Sequence, residues 1–296
     1  MEKPTASKPV QFKGVRGFTL TEIAISIAII ALLMGFFLTA TPALMNSQKI
    51  RSTEARIALV EAALTQYVML NKRLPCPADG SVPNGNANAG LETARDANQD
   101  CVSQTHGAAP WIALGLTAAD IEDGWGARLT YRVAPGLTRN NALDMSACDP
   151  AGSAAAVGTQ PNQTCAPNCT AGTLTSNCTP PAAFVAGKGF NIRDAVGGNL
   201  LMNPGATPSN GAAFVLISHG ENQSGGYTSS GVLLAAIGPQ QGTNEAPNRA
   251  NLPLATDYID AARQYGDTAA HFDDYVVRPT VMTVINRAGL GPRAHY

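Results

Sequence analysis

Residues 16–22 read Arg16-Gly17-Phe18-Thr19-Leu20-Thr21-Glu22 and open onto Ile23–Ala40, eighteen residues without a charge. The run stays nearly apolar to Met45, and the next charge is Lys49. As a helix, such a segment is long enough to cross a hydrocarbon core of about 30 Å. Before it stand Lys3, Lys8, Lys13 and Arg16 against a single acid, Glu2. Positive charge on that side places the N-terminus in the cytoplasm and the rest outside; Arg51 and Arg56 reduce the asymmetry. Two ordinary readings fit this pattern. One is a secretory signal cleaved near a small-residue site such as Thr39–Ala40; the other is a plain single-span anchor. Neither accounts for Glu22, because an acid at the start of an apolar run is costly and requires a partner.

The Gly17-Phe18 junction, Glu22 and the apolar helix that follows closely resemble the leader junction of type IV pilins and type II secretion pseudopilins. The resemblance implies that a membrane-embedded prepilin peptidase cuts after Gly17 and N-methylates Phe18, the new first residue. It also implies that Glu22 pairs with the N-terminal amine of a neighbouring subunit during assembly. An amine and a carboxylate, each costly alone in lipid, compensate one another across a helix–helix contact. Removing residues 1–17 leaves 16 basic and 20 acidic residues, a net charge of −4 over 279 residues.

Beyond Pro42, a candidate kink, the helical pattern continues. Ile50, Ile57, Val60, Leu64, Tyr67 and Val68 share one face, with Lys49, Arg51, Glu54, Arg56 and Glu61 at the other positions. The pattern predicts one long helix from about Thr19 to about Asn71, with its transmembrane part at about 23–45. It stops at Arg73-Leu74-Pro75-Cys76-Pro77, where two prolines forbid continuation. The rest, 72–296, reads as a globular head. Glycine (29) and proline (20) are plentiful and only 14% of residues are charged, so its loops are long. A net charge of −1, a pI near 6.4 and 6% aromatics give a general nucleic-acid binder nothing to work with.

Within the head, 77–110 is polar and reads as loop, and Trp111–Leu116 is short and apolar. Ala127–Val133 alternates Leu129, Tyr131, Val133 against Arg128, Thr130, Arg132, a strand pattern. The preceding Asp123-Gly124-Trp125-Gly126 resembles the aspartate-proline-tryptophan-glycine turn of the major pseudopilin family, without the proline. Residues 138–186 turn to Ala, Gly, Thr, Asn and Pro and read as an insertion. Ala213–Ser218 predicts a buried strand, Gly231–Ile237 a second, Asp257–Arg263 a short helix and Asp273–Val277 a final strand. Val281–Ala288 fits either strand or helix. Helix first and antiparallel strands afterwards make an α+β head.

Six cysteines follow the apolar run, and outside the cytoplasm they form disulfides. Cys76 and Cys101 flank one loop and are the first expected pair. Cys148, Cys165, Cys169 and Cys178 would staple the insertion; four thiolates around Cys165-x3-Cys169 could instead hold zinc. Asn222-Gln223-Ser224-Gly225-Gly226 resembles the Gly-Asp-Ser-Gly-Gly of trypsin-like proteases, with His106, His219 and His271 as possible bases. The first two motif positions differ and no double barrel is indicated, so the loop reads as a turn and the chain as no enzyme. Ser218–Asn222 and Phe272–Asp274 resemble the C-terminal part of pseudopilin heads, where some members bind calcium. Glu221, Asn222, Asp273 and Asp274 carry the oxygen ligands for calcium, or are solvated acids and strand caps.

Together these readings imply a structural subunit, a minor pilin or pseudopilin, of a type IV pilus or type II secretion pseudopilus. Its partners would be the prepilin peptidase, other subunits, the inner-membrane assembly machinery and the bilayer, with no cofactor and no specific nucleic acid. It would wait in the bacterial inner membrane with a periplasmic head before joining the filament. The alternative is a membrane-anchored periplasmic binding protein outside any filament.

Overall fold

The computed structural model describes residues 17–145, 184–235, 242–255, 257–266 and 269–291, and within them leaves aside the side chains of 36–43. The leader up to Arg16, most of the 138–186 insertion and Cys148, Cys165, Cys169 and Cys178 lie outside the described residues. The chain divides into two compact units, 1–48 and 49–296, so the boundary falls inside the long helix.

That helix, α1, runs Leu20–Asn71 and continues through Pro42. It starts at Thr19 through a reciprocal pair of bonds: Glu22 N–H donates to Thr19 Oγ1 at 3.3 Å, and Thr19 N–H donates to Glu22 Oε2 at 2.9 Å. In the second unit Thr53, Ile57, Val60, Leu64 and Val68 are buried at steps of four, three, four and four. These are the steps at which one helix face returns. The helix ends where Lys72 turns left-handed (φ +58°) and the chain enters the two prolines.

The head then builds β1 (Ala78–Asp79), β2 (Gly107–Ala108), β3 (Thr130–Val133), β4 (Asn191–Arg193), β5 (Leu200–Met202), β6 (Phe214–Ser218), β7 (Asp257–Ile259), β8 (Tyr275–Val277) and α2 (Val281–Arg287). An antiparallel sheet runs β1-β2-β3-β6-β8, with Thr130 opposite Ile217 and Val133 opposite Phe214 at its centre. Every residue of β6 is buried, as its apolar run predicts. Ile57, Val60, Leu64 and Val68 of α1 join Leu129, Tyr131, Val133 and the β6 side chains in one core. The α+β architecture therefore stands, and Cys76–Cys101 is a disulfide with Cα atoms 5.6 Å apart.

Several local expectations are corrected. Asp257–Arg263 does not form a helix: Asp257–Ile259 is β7, parallel to β4, with Asn191 opposite Asp257 and Ile192 opposite Tyr258. With β5 it makes a second, mixed sheet, β5-β4-β7. The Asn248 side chain fixes β7 by bonding both the N–H and the C=O of Ile259, at 3.0 and 2.9 Å. The described part of Gly231–Ile237 has no strand. It folds back on Gly225–Thr228, with Tyr227 opposite Leu233; Thr228 N–H donates to the Val232 carbonyl at 2.9 Å and Leu234 N–H to the Gly226 carbonyl at 2.8 Å, and Gly231 takes φ +76°. Val281–Ala288 resolves as helix because Thr280 Oγ1 caps it by accepting from Thr283 N–H at 3.0 Å.

The polar face of 127–133, the segment that runs into β3, is buried as well as its apolar one. Arg128 donates to the carbonyls of Gly80, Val82 and Ser229 and to Asn84 Oδ1, all within 2.9 Å. Arg132 donates to the carbonyls of Ala250 and Leu252 at 2.7 and 2.8 Å. Loop carbonyls thus take over part of the hydrogen bonding that water would supply to these two guanidinium groups.

Candidate functional site

The N-terminal site begins at Gly17, which is exposed, as is Phe18 at 83%. Leu20, Ile23, Ile25, Ile27, Ile29, Ile30, Leu32, Leu33 and Met34 are exposed too. Glu22 has a partner within the chain: besides the backbone bond, its Oε2 accepts from Thr19 Oγ1 at 2.8 Å. The local job of Glu22 is therefore to start α1. A glutamine can complete the same box, but it cannot carry the charge.

A second set of residues fixes α1 to the head, all within the 49–296 unit. In the Asp123-Gly124-Trp125-Gly126 turn, Gly124 N–H donates to Thr53 Oγ1 at 2.8 Å. Arg56 donates to the carbonyls of Glu122 and Asp123. A Cβ on Gly124 would lie 2.2 Å from the Lys49 carbonyl oxygen, so only glycine allows this approach. Asp123 Oδ1 accepts from the N–H groups of Trp125 and Ala127, both at 2.9 Å, and Oδ2 accepts from Ser218 Oγ at 2.7 Å. Burial pushes the Asp123 carboxyl up, against these bonds. The turn that resembles a family motif is thus the joint between helix, β3 and β6. At the far end, Glu92 binds Arg73 at 2.6 Å, the Cys76 N–H at 2.8 Å and the Tyr67 hydroxyl at 3.0 Å.

The third set is a buried polar cluster beyond the end of β6. The structure brings Asn222 and Asp273 together: Asn222 N–H donates to Asp273 Oδ2 at 2.9 Å. Asp274 turns to Asn248, whose amide donates to Oδ2 at 2.8 Å. Glu221, the remaining oxygen ligand read from the sequence, is exposed at the loop. Two residues not singled out with them complete the group. Glu245 Oε2 accepts from Asn222 Nδ2 at 2.9 Å and from Gly242 N–H at 3.0 Å, and Oε1 accepts from Asp273 N–H at 3.0 Å. His271 Nε2 lies 3.7 Å from Glu245 Oε1 and 3.5 Å from Asp273 Oδ2. His271 and Asp273, two apart on a chain paired through Phe272 to Gln264, share a face, and that spacing was the available signal. Glu245 sits in a polar loop and had none.

Burial, with the neighbouring Glu245 charge adding to it, raises the Asp273 carboxyl to about 6, and burial drives Asp274 well above its ordinary value. His219 is fully buried, with Nε2 bonded to Thr130 Oγ1 at 2.8 Å. Burial, with Arg249 and Arg132 nearby, pushes it down to about 3, so it is neutral. His106 Nδ1 bonds the Tyr227 hydroxyl and His271 Nδ1 the Gly266 carbonyl. Among the described residues no histidine hydrogen-bonds Ser224, whose N–H donates to Asn222 Oδ1 at 2.8 Å.

The family model of the prokaryotic N-terminal methylation motif matches residues 12–38, the segment that holds Gly17, Phe18, Glu22 and most of the apolar run. The match supports the type IV pilin-like family and indicates a substrate of prepilin peptidase; the motif implies assembly with pilin subunits. No curated protein and no solved structure was found to be similar to the chain. The motif suggests a membrane-anchored pilin-type protein. Among the described residues no helix is long and apolar enough to cross a membrane; side chains of the apolar run are described up to Gly35 and from Leu44.

Proposed function

We propose that the chain is a minor pilin or pseudopilin, a structural subunit of a type IV pilus or type II secretion pseudopilus. After cleavage at Gly17 and methylation of Phe18, the apolar part of α1 holds it in the inner membrane and later in the filament core. The observation that carries this reading is the exposed apolar surface from Phe18 to Met34 behind a correctly placed Glu22. A helix that is apolar all round needs lipid or other helices around it. The Cys76–Cys101 disulfide supports an oxidising location for the head, the periplasm. The 225 residues after Asn71 make a head large for a bulk subunit, which favours a minor position. Assembly, not catalysis, is the function.

Substitutions at Glu22 separate its two jobs. Glu22→Gln keeps the capping box and removes the charge, whereas Glu22→Leu removes both. Both variants should be processed to an N-methylated Phe18, read by mass spectrometry, and both should be lost from sheared filaments by about 10-fold or more. Incorporation of Glu22→Gln at the wild-type level would show that the charge has no part in assembly. Efficient processing with no wild-type subunit in filaments would favour the anchored binding protein.

A further inference from the structure

We propose that Glu245, His271 and Asp273 form a site for one divalent metal ion of the zinc class, clamping two loops of the head. Glu245 Oε1, His271 Nε2 and an Asp273 carboxylate oxygen all lie within 4.8 Å of one another. The two measured separations from His271 Nε2, 3.5 and 3.7 Å, are close to the distance of about 3.4 Å that separates ligand atoms around tetrahedral zinc. All three side chains are more than nine-tenths buried.

The independent observation is the state of His271. Its Nδ1 faces the Gly266 carbonyl at 3.1 Å, and a carbonyl can only accept, so Nδ1 carries the hydrogen. In the neutral ring Nε2 is then a lone pair, buried, without a hydrogen-bond partner and aimed between two carboxylates. Asp273 presents Oδ2 to that nitrogen at 3.5 Å. Lone pairs and anions converging on one buried point require a cation there. Two carboxylates and a neutral imidazole carry a charge of −2, which a single divalent ion cancels.

The surroundings are those of a supported metal site. The Gly266 carbonyl orients the imidazole; Asn222 and the Gly242 N–H orient Glu245; the Asn222 N–H orients Asp273. A Cβ on Gly242 would lie 1.7 Å from the His271 carbonyl oxygen, so glycine lets the two loops close. An imidazole and two carboxylates suit zinc and its neighbours in the first transition row. Calcium takes six to eight oxygens, and the site does not supply them. The site stands apart from the N-terminal motif and does not depend on the chain being a filament subunit.

The test uses the mature full-length protein in detergent, stripped with a chelator, with its free thiols counted. Zinc is titrated in competition with a chromophoric chelator. One equivalent should bind, and zinc at 100 times its Kd should raise Tm by about 5–10 °C. His271→Gln and Asp273→Asn should each weaken binding by about 100-fold. The second keeps an acceptor for the Asn222 N–H and so serves if the first fails to fold. Cobalt in place of zinc should give a visible spectrum without a thiolate charge-transfer band. The proposal is overturned if stripped wild type takes up no zinc, which would leave a proton as the cation on His271. It is equally overturned if both variants bind as tightly as wild type, or if cobalt shows the thiolate band, which would move the metal to cysteines.

Discussion

The two parts of α1 are both rich in apolar side chains and meet opposite fates. From Phe18 to Met34 the large apolar residues are at least 49% exposed, whereas Ile57, Val60, Leu64 and Val68 are at most 6% exposed. The difference lies in how the apolar residues are spaced. The first part is apolar on every face, and no single face can be turned to a core. The second confines its apolar residues to one stripe and sets charges elsewhere, the pattern of a helix lying on a globular body. One helix therefore contains a segment that completes the fold of its own chain and a segment whose burial must come from outside it.

Two truncations measure that contrast directly. Leu64→Ala removes a fully buried side chain and should cost the head about 3–4 kcal/mol, a fall in Tm of roughly 10 °C. Ile29→Ala removes about as much apolar volume from an exposed position and should leave the head's stability within about 0.5 kcal/mol of wild type. Comparable destabilisation by both, measured by thermal unfolding in detergent, would break the distinction. Ile29→Ala should instead lower the yield of assembled subunit.

A smaller effect is expected where the buried part of the helix first meets the head. Gly124→Ala places a methyl group 2.2 Å from the Lys49 carbonyl oxygen and 2.7 Å from its Cα. Neither backbone atom can swing aside as a side chain would. The helix or the turn must shift, at about 2–3 kcal/mol, and the bond from Gly124 N–H to Thr53 is disturbed with it. Gly85→Ala is no control because its φ of +90° adds backbone strain. Leu59→Ala, on a side chain 42% exposed, is the better one and should change little. If Gly124→Ala melts with wild type, the turn does not hold the helix.

What could be read from the sequence follows the range of the interactions concerned. The leader junction, the apolar run, the buried stripe of α1 and the helix stop are local patterns, legible in a few consecutive residues. Cys76–Cys101 was legible because only one loop lies between them. β3 was legible as a strand, but the fate of its arginines was not. Alternation shows that Arg128 and Arg132 share a face, and nothing nearby says that carbonyls as distant as Ser229 and Leu252 cover it. Asp257–Ile259 was misread as helix because its partner, β4, lies more than sixty residues earlier, and that parallel pairing overrides local preference. The buried cluster was half legible for the same reason. Asn222, Asp273 and Asp274 stood out as oxygen ligands near strand ends, while Glu245 enters only through the folding of its loop.

The smallest effect concerns the end of the buried stripe, where Glu92 closes a ring of Arg73, Tyr67 and the Cys76 N–H. Burial raises its carboxyl, but the hydrogen bonds and charge of Arg73, with the bonds from Cys76 and Tyr67, outweigh this and hold it below its ordinary value of 4.5. A carboxyl held down in the folded state adds stability that is complete above its unfolded value and is lost as pH falls through its folded value. Glu92→Gln should therefore cost about 1–2 kcal/mol at pH 7. The gap in Tm between this variant and wild type should stay constant from pH 7 to about pH 5 and narrow below about pH 4. Tyr67 reports the same ring from the other side: burial and the nearby Glu92 charge push its hydroxyl up to about 12, so it remains a donor throughout this range. A gap that persists unchanged to pH 3 would show that shape, not charge, is what Glu92 contributes at this end of the helix.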